Sequence, residues 1–129
     1  MTMRNARFII VLVGLLLPYA ARLPGGIGWL QQYTDTGFGG WLLIGVPNAI
    51  AWGAILATSF VYRRPASLFA PCLLGFGFLA WGHYTLDLLS DAQAAIAIAF
   101  IPIYALAPIA IGGVIGYVVD RKLRGRDAA

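Results

Sequence analysis

The sequence predicts an all-α polytopic membrane protein: four transmembrane helices in an antiparallel bundle, with both termini on the cytoplasmic side. Three observations predict it. Of 129 residues, 60% are apolar and 11% charged, against roughly 45–50% and about 25% in a soluble domain, so the surplus apolar surface has to face lipid. The chain holds four charge-free stretches, and a helix needs about 20 mostly apolar residues to cross roughly 30 Å of hydrocarbon. Eight of the nine basic residues then fall on one side of a four-span arrangement, as expected when short loops rich in Lys and Arg stay cytoplasmic. A three- or five-span arrangement breaks that segregation. The length suits a single transmembrane domain over residues 1–129.

The first span, about 6–23, rests on the 14 uncharged residues from Phe8 to Ala21. Its basic start, Arg4 and Arg7, also fits a secretory signal, but Pro18-Tyr19-Ala20-Ala21 offers no A-x-A cleavage pattern, so it is read as a span. A connection from Arg22 to Thr36 follows. Pro24-Gly25-Gly26 makes a turn there, and a short stretch lies at the interface on Trp29 and Tyr33. Asp35, flanked by Thr34 and Thr36, is expected to N-cap the second span, about 37–62. The third span, about 66–88, starts after Arg63 and Arg64. A connection of only Ser90 to Gln93 leads into the fourth span, about 92–119, and a basic cytoplasmic tail covers 120–129. Ser90-Asp91-Ala92-Gln93 fits a capping box with Ser90 as N-cap of the fourth helix.

Packing surfaces are the next feature. Gly45, Ala49, Gly53 and Ala57 recur at every fourth position and line one face of the second helix, and Gly112 and Gly116 form a GxxxG match in the fourth. Small residues let a neighbouring backbone approach closely. Both rows are expected to pack the chain's own bundle, with a subunit or partner contact as the competing reading. Proline interrupts every span, at Pro18, Pro47, Pro71, Pro102 and Pro108, and each frees a carbonyl that needs a partner within the protein. Asn48 is the one strongly polar side chain deep in a span. It is expected to donate to the carbonyl freed by Pro47 or to bridge to another helix, ahead of binding a ligand.

Ionisable residues inside spans are read as functional candidates when they are truly inside. Counted from Ser67, Asp87 lies 20 residues along, or roughly 30 Å, which is the far interface, and His83 lies about 6 Å inside it. His83, Asp87 and Asp91 share one face if the third helix continues. Arg7 and Arg22 are 15 residues apart, about 22 Å, short of the roughly 30 Å core. Either both snorkel to the interfaces or Arg22 is partly buried beside an acid such as Asp87 or Asp35. The resulting expectation is an outer-leaflet cluster of Arg22, His83 and Asp87. Cys72 reads as a packing residue and Asp120 as a local partner of Arg121, Lys122 and Arg124.

The chain carries no G-x-S-x-G, H-E-x-x-H, C-x-x-C or Walker-type motif, so no catalytic residue, metal or cofactor is expected. The net charge of +4 follows from topology, and basic residues split among three segments form no nucleic-acid stripe. Partners are therefore the lipid bilayer and a second copy or another membrane protein. In its arrangement of spans the chain resembles several small bacterial membrane families, without a motif that selects one, and a bacterial inner membrane is the expected location. The leading reading is a non-catalytic protein working through intramembrane helix contacts, such as an accessory subunit, assembly factor or immunity-type protein. The alternative is an oligomeric transporter or channel for a small solute or ion that uses the Arg22, His83 and Asp87 cluster.

Overall fold

The computed structural model describes residues 1–90 and 92–128. Among them the chain is all-helical: α1 (Met3–Ala20), α2 (Ile27–Thr34), α3 (Gly37–Thr58), α4 (Phe69–Thr85) and α5 (Ala94–Ala128). Short 3-10 turns at Leu23–Gly25 and Pro65–Leu68 precede α2 and α4. Four segments are long and apolar enough to cross a membrane, Met3–Gly25, Gly37–Thr58, Pro65–Thr85 and Ala94–Asp127. α2, with 8 residues, is the fifth helix. The multi-pass membrane character read from composition is thus present in the helices.

Thr2 starts α1 by accepting the N–H of Asn5 on its hydroxyl, a Ser/Thr N-cap. α1 packs on α3 and α4, and α3 and α4 both pack on α5. The central core is Ile10, Ala51, Ile55, Leu79, Ala105 and Ile109. Large apolar side chains cover the outside, including Phe8, Leu12, Leu16, Trp41, Val46, Leu73, Ile103 and Val114. That arrangement is unfavourable in water and natural in lipid, where helix association comes from close packing and interhelical hydrogen bonds.

Several boundaries differ from the sequence reading. α3 begins at Gly37 with no side-chain cap, because Asp35 is absorbed into the end of α2, its N–H bonded to the Gln31 carbonyl. α4 stops at Thr85, so Asp87 lies in the connection instead of on a helix face with His83. α5 begins at Ala94 and not at Ser90, whose hydroxyl instead donates to the Asp87 carbonyl. Asp91 falls outside the described residues. The tail is not separate: α5 runs for 35 residues, about 52 Å at the helical rise, and carries the basic residues on the same helix.

Candidate functional site

The polar centre of the molecule is built on the end of α4. A helix leaves its last carbonyls without intrahelical donors, and those carbonyls form the negative end of its dipole. Arg22 supplies donors from across the chain. α1 ends at Ala20, and the following turn holds the Arg22 N–H on the Tyr19 carbonyl. Gly26, at φ 95°, then reverses the chain so that α2 folds back over Arg22, a backbone conformation glycine adopts at little cost.

The Arg22 guanidinium is fully buried. Its Nη1 donates to the carbonyls of His83 at 2.8 Å and Leu86 at 2.6 Å. Its Nε donates to the Trp29 carbonyl at 2.7 Å, and Nη2 to Gln32 Oε1 at 2.8 Å. Its planar face lies 4.4 Å from the centroid of the Trp29 ring and 4.1 Å from that of Tyr33, close enough for cation–π attraction on both. Trp29 adds a second cap, its indole N–H donating to the Tyr84 carbonyl at 2.6 Å. A cation and an indole from one connection therefore satisfy the end of α4, and the charge matches the sign of the helix dipole.

His83 and Tyr33 complete the layer beneath. The Tyr33 hydroxyl and His83 Nδ1 are 2.8 Å apart, and the two rings meet edge to face at 5.7 Å. Both side chains are fully buried. Burial pushes the Tyr33 phenol up to about 12, with the Arg22 charge pulling the other way. His83 Nε2 has no hydrogen-bond partner among the described residues. Asp87 Oδ1 accepts from Gln32 Nε2 at 3.1 Å and from the Leu89 N–H at 3.0 Å.

Arg22, His83 and Asp87 are thus brought to one end of the molecule, but not as a direct ionic cluster. Arg22 makes no ion pair with Asp87 among the described residues. Gln32 stands between them, accepting from Arg22 and from the Leu88 N–H while donating to Asp87. The reason is geometric: once α4 ends at Thr85, its open carbonyls reach the guanidinium before a carboxylate does. Trp29, half-buried, and Tyr33, fully buried, both stack on the Arg22 guanidinium.

The chain matches no protein-family model, no curated protein and no solved structure. Among the described residues, no three His, Cys, Asp or Glu stand together as a metal site. Four of the guanidinium's five N–H donors are committed to fixed acceptors, so the Arg22 layer acts as a clasp that fixes α2 and the end of α4.

The other singled-out residues take separate places. Asn48, buried in α3, donates from Nδ2 to the Gly14 carbonyl at 2.7 Å, while its Oδ1 has no partner among the described residues. Gly112 packs the chain's own bundle, since a Cβ there would lie 2.6 Å from Pro71 Cα and 2.7 Å from the Ala70 carbonyl oxygen; Gly116 is equally close to the Ser67 carbonyl and Tyr62. The row in α3 is only partly covered. Among the described residues a Cβ at Gly45 or Gly53 would meet nothing from another helix, Gly45 and Ala57 are exposed, and Ala49 and Gly53 are half-buried. The inward row of α3 is Ile44, Asn48, Ala51 and Ile55, about half a helical turn away from the small residues.

Sequence reasoning missed two contributors. Gln32 bridges Arg22 and Asp87, and its only signal was an amide beside two aromatic residues. Gly14 allows the Trp52 ring of α3 to lie directly on α1. At the basic end, Asp120 Oδ1 accepts from the N–H groups of Arg63 and Arg64, both at 3.0 Å, and from Ser67 Oγ at 2.9 Å, while its Oδ2 pairs with Arg124. The local pairing read from sequence is one part of that clamp. Nothing in the spacing of Asp120 pointed to the connection between α3 and α4.

Proposed function

We propose that the protein is a multi-pass protein of a bacterial inner membrane that works non-catalytically, through helix contacts within the bilayer, as an accessory subunit, assembly factor or immunity-type protein. In this reading the helices form an antiparallel bundle, and the basic end, with both termini, faces the cytoplasm as the distribution of Lys and Arg favours. The observation that carries the reading is the open space beside Gly45 and Gly53, where an added Cβ would meet nothing among the described residues, together with the exposure of Gly45 and Ala57 in the same row of small residues. In lipid, where apolar surface alone gives no attraction, such a row is what permits two backbones to approach. The engagement of Arg22 with carbonyls and Gln32 supports the same reading, since four of its five N–H donors are spent inside the fold.

The test is association in bilayers. Labelled copies in lipid vesicles are followed by energy transfer, and membrane proteins retained in mild detergent are identified in parallel. Gly53→Leu adds a side chain into open space, so the fold survives and association weakens about tenfold, the size of one interhelical packing contact. Association that is absent, or that is indifferent to both Gly45→Leu and Gly53→Leu, overturns the proposal.

A further inference from the structure

Between α3 and α5, at the basic end, the helices leave a laterally open apolar groove of about 480 Å³. It exists because Ala54 of α3 and Ala110 and Gly113 of α5 put almost no side chain into the space between the two helices. Tyr62 lies along it, its hydroxyl donating to the Gly113 carbonyl, and Val61 and Tyr117 border its basic end. Beyond that border stand two guanidiniums. Arg124 donates to the Val61 carbonyl at 3.2 Å and is neutralised by Asp120. Arg121 sits 5.9 Å from the Tyr117 ring centroid, is exposed, and makes no ion pair among the described residues.

We propose that this groove is a lipid site: one acyl chain of an anionic phospholipid lies along α3 and α5, and its phosphate is held by Arg121. The charge of this end selects the headgroup. Arg4, Arg7, Arg63, Arg64, Arg121, Lys122, Arg124 and Arg126 stand against Asp120 and Asp127, and the two acids are already engaged by Arg124 and Arg64. A juxtamembrane surface of that sign attracts anionic lipid, while the uncharged wall beneath it accepts a chain and offers a second phosphate nothing. The site does not rest on the helix-contact reading, because Gly45, Ala49, Gly53 and Ala57 do not line the groove.

The full chain in mild detergent is exposed to equal amounts of phosphatidylglycerol and phosphatidylcholine, and the retained lipids are counted by native mass spectrometry. Wild type retains phosphatidylglycerol over phosphatidylcholine by about fivefold, the contribution of one basic residue at a membrane surface. Arg121→Gln brings the ratio close to one. Ala110→Phe, at an exposed position on the groove wall, abolishes retention of both lipids with the helical circular dichroism unchanged, and Gly53→Leu leaves the ratio as in wild type. The proposal is overturned by equal retention of the two lipids in wild type, or by a preference that survives both Arg121→Gln and Ala110→Phe. It is also overturned if Ala110→Phe loses lipid only together with helicity while Arg121→Gln keeps the ratio. Self-association lost in Ala110→Phe without any lipid preference assigns the groove to a second helix and equally overturns it.

Discussion

Asn48 of α3 donates to the carbonyl of Gly14 in α1 at 2.7 Å. Gly14 lies four residues before Pro18, whose ring nitrogen has no hydrogen to give, so this is the carbonyl that the proline leaves open. The polar side chain buried midway along α3 thus meets the backbone defect of a different helix, and the Trp52 ring seals the spot because Gly14 has no side chain. A freed carbonyl in lipid has no water to turn to, and a donor from the neighbouring helix is the available remedy.

Asn48→Leu should therefore destabilise the bundle by about 1 kcal/mol, the usual size of an interhelical hydrogen bond. In a Pro18→Ala background residue 18 regains its N–H and takes the Gly14 carbonyl itself, so the same substitution should cost at least about 0.5 kcal/mol less. Unfolding in mixed detergent micelles measures both, and costs that simply add would refute the pairing of Asn48 with the Pro18 defect.

Arg22→Ala takes the Arg22 donor from the carbonyls of Trp29, His83 and Leu86 and leaves Gln32 Oε1 only the Leu88 N–H. A loss of roughly 3 kcal/mol or more is expected, since each buried unsatisfied group costs about 1–3 kcal/mol. Arg22→Lys should recover little of it, because an ammonium cannot reproduce the planar fork that reaches four acceptors. Equal stability of the lysine variant and wild type would show that charge alone matters there.

The pH dependence of Tyr33 has a defined sign. Its phenol is pushed up to about 12 from 10.0 by burial, so the folded protein holds this proton more tightly than the unfolded chain. The contribution is fully present below pH 10 and is lost as the pH rises through about 12. The stability difference between wild type and Tyr33→Phe should be flat at neutral pH and shrink across that window. A difference that grows with alkalinity would contradict the buried hydroxyl.

Asp120 holds the connection between α3 and α4 by accepting from Arg63, Arg64 and Ser67. Asp120→Ala should cost about 2–3 kcal/mol, as expected for losing a buried charged acceptor. Trypsin cleavage after Arg63 should accelerate by at least about tenfold if the connection then opens locally. An unchanged cleavage rate would mean that the connection is held by its other contacts.

What could be read from residues alone was set by the solvent. Water rejects long apolar segments wherever they occur, so four spans and the charges that bound them follow from composition placed along the chain. Bulk and backbone chemistry were also legible in part: prolines announced open carbonyls, and Arg22 and His83 stood out as ionisable residues short of an interface, with Asp87 at it. Which acceptor each would find was not legible, because Arg22 takes carbonyls that exist as free acceptors only where α4 happens to stop.

The tertiary structure alone decided which faces turn inward. In a soluble helix, polarity separates the buried side from the exposed one; in lipid both are apolar, and the pattern carries little information. On α3, Ile44, Ala51 and Ile55 went inside while Leu43, Val46 and Ile50 face outward, and nothing in their hydrophobicity distinguishes the two sets. Shape made the choice: Trp52 fitted over Gly14, and Asn48 reached a carbonyl that only Pro18 had opened.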